Sequence, residues 1–411
     1  MRFLFFIQGE GRGHQTQALA LHGILTQAGH EVVAAIVGTT DGRGIPTLLR
    51  DRLAVPMTKV PSPALIYSKT TKSLDLFRTM RVNSARIPRY WQAAHTIHAV
   101  VEKHRPDVLI NFYEMACGIY HWLYRPSLPT VSIAHQYLLL HPNFQLPGQR
   151  WLHRTLVNQV THLTSIGTTR RLALSFYDFP DAPNARIFVV PPLLRAEVLG
   201  EGLTPRPPLR GRGGDSTLHN SPSPSERGPG GEASVQPFLL AYTTHHRLAE
   251  DLIAWSKTHP ETRIEAFWDK SDADERWAAS PSLTFHRINA ERFLDAMRRC
   301  RGLVSTAGFE AICEAMYLDK PVMMLPVPGH FEQACNAYDA ERAGAGLRAT
   351  SFSELDRFLD YLPTHQSVQV FFRQWQAKTT PSFLQHLTEA KRDAPARISR
   401  FIRWTGRWLG R

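Results

Sequence analysis

Apolar residues in the first half of the chain form short runs that alternate with longer stretches of helical periodicity. The runs predict buried strands over residues 2–8, 31–37, 108–112 and 130–134, and the longer stretches predict helices over 15–28 and 74–104. Strands that alternate with helices pair in parallel within one sheet. The pattern therefore predicts an open, doubly wound α/β domain over residues 1–198.

The same alternation resumes at Phe238 and predicts a second domain over residues 237–380. A strand starts at Phe238 and runs into a turn, and further strands are predicted over 263–268, 283–288, 303–305 and 321–325, with helices over 290–300 and from near Phe309. Doubly wound sheets bind ligands at the carboxyl ends of their strands. The predicted fold class is therefore α/β, with two Rossmann-like domains facing a cleft.

Two further segments lack the alternating pattern. Residues 199–236 are dense in Pro, Gly and Ser, and they cannot bury enough apolar surface to offset their ordering entropy. We expect a disordered linker there, with a proline-rich docking segment as the alternative. Residues 381–411 form a tail in which, from Ile398 onward, apolar side chains and arginines fall on opposite sides of a helical wheel. This predicts a basic amphipathic helix.

Half of the formal net charge of +12 comes from the C-terminal end of the chain. Residues 391–411 hold seven basic side chains against one acid. A basic balance suits anionic lipid, phosphate-bearing substrates or nucleic acid. The sequence has no nucleic-acid-binding signature, so we expect no nucleic-acid partner. Residues 392–411 are predicted to contact an anionic membrane surface, and the alternative is that they pack back onto the N-terminal domain.

The length of the apolar runs indicates where in the cell the protein is expected. None approaches the roughly 18 to 20 residues of a spanning helix, and the run after Arg2 is too short for a signal-peptide core. We therefore expect a cytoplasmic protein, with peripheral attachment to the inner face of the membrane if the tail binds lipid.

The cysteine and histidine spacings argue against metal and disulfide sites. Cys117, Cys300, Cys313 and Cys335 lie far apart and form no C-x-x-C pair, so we expect reduced, structural thiols. No cluster of histidines and acids has metal-ligand spacing. The sequence therefore predicts no metal site.

A glycine-rich turn, QGEGRGHQT at residues 8–16, directly follows the first predicted strand. A dinucleotide-binding turn has the spacing G-x-G-x-x-G and an acid about 20 residues on. Gly9 and Gly11 fit this spacing, but His14 occupies the third glycine position and no acid ends the second strand. A nicotinamide or flavin cofactor is therefore not expected, and the turn must serve another ligand.

The strongest chemical signal is the pair of segments STAGFEAICEA, residues 305–315, and KPVMMLPVPGHFEQ, residues 320–333. Small residues before a helix let its backbone N–H groups and positive end approach a phosphate. Glu314 lies on that predicted helix, where its carboxylate can accept both hydroxyls of a ribose. Glu332 and Gln333 open the next helix toward the same cleft and suit a sugar.

These two segments closely resemble the donor-binding region of nucleotide-sugar glycosyltransferases of the GT-B group. The similarity is to bacterial and archaeal members related to the UDP-glycosyltransferases and to the enzyme that adds N-acetylglucosamine to the lipid-linked peptidoglycan precursor. The stretch GEGRGH resembles their first loop, so the resemblance covers both domains but not the linker or tail. It implies a metal-independent, inverting transferase that takes a nucleotide-sugar donor and a hydroxyl acceptor and needs no cofactor.

The resemblance also implies roles for individual residues. The implied donor-binding residues are Thr244, His245, Thr306, Ala307, Gly308, Glu314, Glu332 and Gln333. The first two form a phosphate-binding turn, the next three meet the diphosphate, Glu314 holds the ribose, and the last two hold the sugar. Many relatives carry a histidine where this chain has Thr306.

His14 is the candidate catalytic residue. At the end of the first strand it would face the cleft from the acceptor side, where a base must take the proton of an attacking hydroxyl, and a histidine that titrates near neutrality suits that task. The alternative is that His14 and Arg12 cap the turn, with Gly11 and Gly13, and bind phosphate or water.

Two further residues are expected on the acceptor side. Glu114 follows the strand 108–112 and would orient His14 or bind the acceptor, unless it is an exposed loop acid. His135 and Gln136 follow the strand 130–134, and we expect them to face the acceptor side as well.

Two other functions stay open at this point. One is a nucleotide-sugar 2-epimerase of the same fold, which would need additional acids in the cleft. The other is a non-catalytic protein that binds a nucleotide sugar or a lipid, for which a retained His14 would have little use.

Overall fold

The computed structural model describes residues 1–40, 44–63, 66, 76–145, 147, 151–200, 237–243, 246–268 and 274–393. Most of the predicted linker, from residue 201 to 236, lies outside the described residues, and so does the tail from residue 394 onward. The predicted phosphate-binding turn residues Thr244 and His245 are outside them too.

The N-terminal part of the described chain is a parallel sheet of seven strands, in the order β3-β2-β1-β4-β5-β6-β7. The strands are β1 (Arg2–Gln8), β2 (Glu31–Thr39), β3 (Met57–Pro61), β4 (Val108–Phe112), β5 (Thr130–Ala134), β6 (Arg170–Leu174) and β7 (Ile187–Val190). The helices are α1 (Arg12–Gln27), α2 (Thr47–Arg52), α3 (Leu76–Ala85), α4 (Ile87–His104), α5 (Met115–Tyr124), α6 (Trp151–Thr164) and α7 (Ala196–Leu199).

The central strand β1 is apolar along its length because helices cover both faces of the sheet. Phe3 and Phe5 are fully buried on one face, and Leu4 and Phe6 on the other. Phe5 meets Phe112 of β4 edge to face, with ring centroids 5.2 Å apart. Burial of each such side chain contributes about 1.5–3 kcal/mol, which anchors the loops that follow β1 and β4.

The C-terminal part holds a second sheet, for which the described residues supply seven strands in the order β10-β11-β9-β8-β12-β13-β14. The strands are β8 (Leu239–Thr243), β9 (Ile264–Trp268), β10 (Arg276–Ser280), β11 (Leu283–Arg287), β12 (Gly302–Ser305), β13 (Val322–Met324) and β14 (Gly346–Arg348). The helices are α8 (His246–Thr258), α9 (Ala290–Arg299), α10 (Phe309–Tyr317), α11 (Phe331–Arg342), α12 (Leu355–Tyr361), α13 (Gln369–Gln376) and α14 (Thr379–Ala390). The β10–β11 pair is antiparallel, and the other pairs are parallel.

The two sheets confirm the predicted α/β class with two doubly wound units. In each sheet the strand order reverses direction at one place, between β1 and β4 in the first and between β8 and β12 in the second. A crevice opens at the carboxyl ends of the strands at such a switch point. His14, Glu114 and Glu314 come after β1, β4 and β12, and the other predicted residues that the structure describes come after β1 or β12, or after the neighbouring strands β5 and β13.

Two of the predicted helices differ by more than one or two residues from the observed ones. Helix α1 begins at Arg12, three residues before the predicted start, because Gly11 takes an extended conformation and serves as its N-cap. His14 therefore lies in the first turn of a helix rather than in a loop. The single helix predicted over 74–104 is two helices, α3 and α4, and Pro88 lies in the first turn of α4. Proline suits that position, whereas it would disrupt a continuous helix.

The chain returns to the first sheet at its described C-terminal end. Trp375 Nε1 donates a hydrogen bond to the Ser175 carbonyl at 3.0 Å, and Phe383 and Leu387 of α14 are fully buried. Arg170 pairs with Glu389 and Asp393 at 2.5 and 2.6 Å. The predicted boundary at residue 380 thus falls inside α14. Among the described helices, none has both the length and the apolarity to cross a bilayer.

Candidate functional site

A cavity of about 680 Å³ lies between the carboxyl ends of the two sheets. Its size is within the usual range of a small-molecule site. One wall comes from the loops after β1, β4 and β5, and the other from the N-terminal turns of α10 and α11. The two switch points of the fold therefore open into one space.

The first wall begins with the glycine-rich turn. Gly11 caps α1, and Arg12 and Gly13 form its first turn, so all three line the cavity beside His14. Glycine at position 13 leaves room for the carboxylate of Glu310 in the opposite wall, which an added Cβ would displace. The turn thus allows a close approach of the two domains.

His14 lines the cavity with only 8% of its surface exposed. Its ring stacks on Tyr113, with centroids 5.5 Å apart, and its Nδ1 lies 3.3 Å from Oε1 of Gln17. Burial lowers the pKa of His14, against smaller raising effects from the charge of Glu332 and the hydrogen bond with Gln17. The ring is therefore neutral at pH 7 and able to accept a proton.

Tyr113 and Ala307 occupy strained positions at the ends of β4 and β12. Their φ angles are 57° and 59°, in the left-handed region that residues with a side chain rarely adopt. Each costs on the order of 1–3 kcal/mol, and such strain concentrates at functional sites. The strained residues therefore lie in the strand-to-helix turns β4–α5 and β12–α10, one in each domain.

Glu114 is buried, with 1% of its surface exposed, and is not an exposed loop acid. It caps α5 by accepting from the Ala116 N–H at 2.8 Å, and it also accepts a hydrogen bond from Ser62 Oγ. These contacts do not connect it with His14, whose described partner is Gln17. Burial raises the pKa of Glu114 to about 7. The expectation that Glu114 orients His14 is therefore not met, but its carboxyl group does line the cavity.

His135 and Gln136 bring the end of β5 to the same wall. His135 Nδ1 donates to the Leu174 carbonyl at 2.7 Å, and its ring stacks on Phe309 of α10 with centroids 4.1 Å apart. Burial lowers the pKa of His135 to about 4. Gln136 Nε2 donates to Glu332 Oε1 at 2.9 Å and joins the two walls. Among described atoms, His135 Nε2 is buried without a hydrogen-bond partner.

The second wall starts with Thr306, Ala307 and Gly308, which connect β12 to α10. Gly308 is the N-cap of α10, as the sequence predicted from the small residues, and no side chain caps this helix end. Asn336 Nδ2 holds the turn by donating to the Ala307 carbonyl at 3.0 Å. The turn therefore directs the N-terminus of α10, with its backbone donors, toward the cavity.

Glu314 lies one turn further along α10 and lines the cavity. Both of its carboxylate oxygens accept from Arg195, at 2.6 Å for Nε and 2.7 Å for Nη2. The acid predicted for a ribose is therefore already paired with a cation. Arg195 belongs to none of the motifs recognised in the sequence.

Glu332 and Gln333 occupy the first turn of α11, as predicted. Glu332 accepts from Gln136 across the cavity, and Gln333 Oε1 accepts from the Val327 N–H at 2.9 Å. This second contact ties the Pro-Gly loop after β13 to the helix. Both residues line the cavity, and Glu332 contacts the first domain through Gln136.

The sequence model of the family described as Glycosyl transferase family 1 matches residues 1–209 and 233–363. The match covers both sheets and every cavity wall described above. The chain belongs to this family. It is a glycosyltransferase, and the resemblance inferred from the donor motif is confirmed.

Solved structures support the GT-B fold of this glycosyltransferase. The glycotransferase of kitacinnamycin is 14% identical, with a TM-score of 0.56, over 95% of this chain and 98% of that one. CalG4, the calicheamicin glycosyltransferase, is 15% identical, with a TM-score of 0.55 over 95% and 98% of the two chains. MurG of Acinetobacter baumannii is 12% identical, with a TM-score of 0.51 over 95% and 100%. No curated protein sequence matches significantly.

Besides Arg195, two more cavity residues of the glycosyltransferase, Glu310 and Gln17, were not predicted from the sequence. Glu310 precedes Glu314 by one helical turn and accepts a hydrogen bond from Gln17 of α1. Burial raises the pKa of Glu310 to about 7. Its place four residues before Glu314 in the quoted motif was a usable signal, because positions i and i+4 share a helix face. Gln17 could have been found in the same way, because it follows His14 by three residues and positions i and i+3 also share a helix face.

The charges that line the cavity of the glycosyltransferase are mostly acidic. Among the described residues they are Glu10, Glu114, Glu310, Glu314 and Glu332 against Arg12 and Arg195. Because burial raises the pKa of Glu114 and of Glu310 to about 7, these two are partly protonated at neutral pH, which lessens repulsion of an anionic ligand. Within the described part of the chain, no group of three His, Cys, Asp or Glu side chains is arranged to hold a metal ion.

Proposed function

We propose that this glycosyltransferase transfers a sugar, with inversion, from a nucleotide-diphospho-sugar to an acceptor hydroxyl, and that the donor nucleotide is uridine diphosphate. The observation that carries the proposal is that His14 and the donor motif line one cavity from opposite domains. A neutral, buried histidine on one wall and a helix N-terminus on the other suit a reaction that removes a proton and releases a diphosphate.

In the proposed reaction the acceptor oxygen attacks the anomeric carbon in line with its bond to the diphosphate. His14 takes the hydroxyl proton at Nε2 while the new carbon–oxygen bond forms. The bond to the diphosphate breaks with its electron pair on the leaving oxygen. The N-terminal N–H groups of α10, after Thr306, Ala307 and Gly308, stabilise that negative charge. A single displacement inverts the configuration at the anomeric carbon.

We assign the other predicted residues of the cavity to parts of the two substrates. Glu314 holds the ribose hydroxyls, and Glu332 and Gln333 hold the transferred sugar. Glu114 and His135 lie on the wall that would receive the acceptor. His135 Nε2, buried without a described partner, offers a lone pair to an acceptor hydroxyl.

The test is an assay of nucleotide-diphosphate release and product formation from a panel of nucleotide sugars, in the presence of a metal chelator. We expect His14→Ala to keep donor affinity and to cut turnover by roughly 10² to 10⁴, the usual contribution of a positioned base. His22→Ala, on the same helix but outside the cavity, is the matched control. Unchanged turnover in folded His14→Ala, or a product with the donor's anomeric configuration, would contradict the proposal.

A 2-epimerase is the second candidate, and one observation favours it. Such an enzyme needs additional acids in the cleft, and the buried carboxyl groups of Glu114 and Glu310 line the cavity. Incubation of the protein with a nucleotide sugar in deuterated water, without acceptor, separates the two reactions. Deuterium at C2 of the recovered sugar would support epimerisation, and its absence together with transfer to an acceptor would exclude it.

We further propose a lipid-linked acceptor at the inner face of the membrane, with residues 392–411 as the contact. The support is the sequence of this segment, in which arginines worth about 1 kcal/mol each near an anionic surface alternate with apolar positions. Liposome co-sedimentation of the full chain and of a chain ending at residue 391, at low and high salt, tests this contact. Equal, salt-insensitive behaviour of the two would exclude it.

A further inference from the structure

His14 is oriented by an amide rather than by a carboxylate. Its Nδ1 lies 3.3 Å from Oε1 of Gln17, one turn further along α1. An amide oxygen can only accept a hydrogen bond, so Nδ1 carries the proton in this pair. Nε2 then keeps the lone pair that a general base needs.

The amide of Gln17 is in turn oriented from the opposite domain. Its Nε2 donates a hydrogen bond to Oε1 of Glu310, in the first turn of α10. An ionised carboxylate can only accept, so it keeps the NH2 end of the amide on its own side and the oxygen end toward His14. Gln17 is 2% exposed, so water does not compete for either end.

Gly13 leaves space for this chain of contacts, and Glu114 does not offer an alternative partner for His14. Gly13 lets the carboxylate of Glu310 reach α1, because a Cβ at position 13 would meet its Oε2. Glu114, the acid expected to orient His14, is occupied by Ser62 and by the cap of α5. The connection from His14 through Gln17 to Glu310 is therefore the orienting path in the described residues.

We propose that Gln17 and Glu310 are positioning residues that fix the tautomer of His14, with the proton on Nδ1 and the lone pair on Nε2. The inference rests on the proposed role of His14 as the base. Since Glu310 belongs to the donor-side domain and Gln17 to the other, the base is set only while the two domains face each other as they do here.

The charge of Glu310 matters for this arrangement. It is faced by Glu314 on its own helix, by Glu332 on α11 and, through Gln17, by His14 on α1. If Glu310 is protonated, its hydroxyl can donate to the side-chain oxygen of Gln17. The amide group of Gln17 can then rotate by 180°. The NH2 end then faces His14 Nδ1, and the proton moves to Nε2. Because the pKa of Glu310 is about 7, turnover should rise with pH around neutrality.

The direct test is the tautomer of His14, read from long-range ¹H–¹⁵N correlation spectra of the full chain labelled with ¹⁵N-histidine at pH 8. The His14 signals are identified by their loss in His14→Ala. We expect the Nδ1–H form in the wild type and a shift toward the Nε2–H form in Gln17→Leu and Glu310→Leu. In the same two variants kcat for transfer should fall about tenfold or more at an unchanged donor KM.

Two variants separate positioning from packing. Glu310→Gln keeps an acceptor oxygen for Gln17, so it should retain the Nδ1–H form and lose the pH dependence of turnover near 7. Gln15→Leu is the matched control, because Gln15 is 4% exposed on the same helix and donates to the Gly9 carbonyl at 3.0 Å. It should leave the tautomer of His14 unchanged.

The outcomes are distinguishable. The same His14 tautomer in the wild type, Gln17→Leu and Glu310→Leu would overturn the inference, as would a shift in Gln15→Leu equal to that in Gln17→Leu. If the tautomer responds as expected but the wild type transfers no sugar, the positioning stands and the proposed function fails. A Glu310→Gln variant with the wild-type pH profile would overturn the role of the carboxylate charge.

Discussion

Arg195 and Glu314 form a two-point ion pair at the edge of the cavity, with Nε–Oε1 and Nη2–Oε2 distances of 2.6 and 2.7 Å. The two side chains are 15% and 6% exposed. Each carboxylate oxygen has two lone pairs, and the arginine uses one on each. Glu314 can therefore still accept ribose hydroxyls without breaking the pair, and Arg195 fixes the direction of its carboxylate.

The first prediction concerns stability. Removal of one member of a buried pair leaves the other charge uncompensated, so Arg195→Met and Glu314→Leu should each lower the free energy of unfolding by about 3–5 kcal/mol. The double variant should lose much less than the sum, because neither charge remains. Urea unfolding of the four proteins measures the coupling, and strictly additive losses would show that the pair carries none.

The second prediction concerns the donor. Hydrogen bonds from ribose hydroxyls to a carboxylate contribute about 1.5–3 kcal/mol. The Arg195→Met/Glu314→Leu variant, which has no unpaired charge, should therefore bind uridine diphosphate at least tenfold more weakly by calorimetry.

The matched ligand for that experiment is 2′,3′-dideoxyuridine diphosphate. The wild type should prefer the ribose form, and the double variant should bind the two alike. If the wild type fails to discriminate between them, Glu314 does not contact the ribose.

The sequence predicted those parts of the site that depend only on residues adjacent to one another in the chain. The strands over 108–112 and 130–134 have the predicted bounds, and α10 begins at Phe309 as expected, because small residues and a strand end mark the turn. The glycosyltransferase assignment followed from the same turn and is confirmed by the family match. Local patterns thus located the cavity walls.

The partners of the predicted residues could not be found in this way. Arg195 and Glu314 are separated by 119 positions, and Gln17 and Glu310 by 293. Their pairing depends on how two domains pack, which neither periodicity nor motif spacing encodes. The same reason explains the wrong expectation that Glu114 orients His14, since Ser62 reaches Glu114 from a loop after β3.

The third prediction uses two glycines of α1 as a matched pair. Alanine is favoured over glycine inside a helix by about 0.5–1 kcal/mol. Nothing lies within 4 Å of a Cβ added at Gly23, so Gly23→Ala should raise the free energy of unfolding by that amount and leave turnover unchanged.

Gly13→Ala should behave differently although the chemical change is the same. Its Cβ would collide with the carboxylate of Glu310, so the carboxylate must move and its contact with Gln17 is disturbed. We expect no gain in stability and lower turnover. Thermal unfolding and a transfer assay on both variants decide the matter, and parallel behaviour of the two would show that Gly13 serves only the helix.

The last prediction concerns the buried carboxyl group of Glu114. Its pKa of about 7 in the folded protein exceeds the ordinary value of 4.5, because burial disfavours the charged form. Stability from the protonated group is complete below pH 4.5 and is lost as the pH rises through 7. Glu114→Gln keeps an oxygen for the Ala116 N–H and for Ser62 but never ionises. Its free energy of unfolding relative to the wild type should therefore rise between pH 4.5 and 8, by roughly 3 kcal/mol at most.

Glu102→Gln, which removes the same charge from the exposed surface of α4, is the control. Denaturant titrations at the two pH values measure the difference, and a pH-independent gap between Glu114→Gln and the wild type would mean that Glu114 ionises as freely in the folded protein as in water.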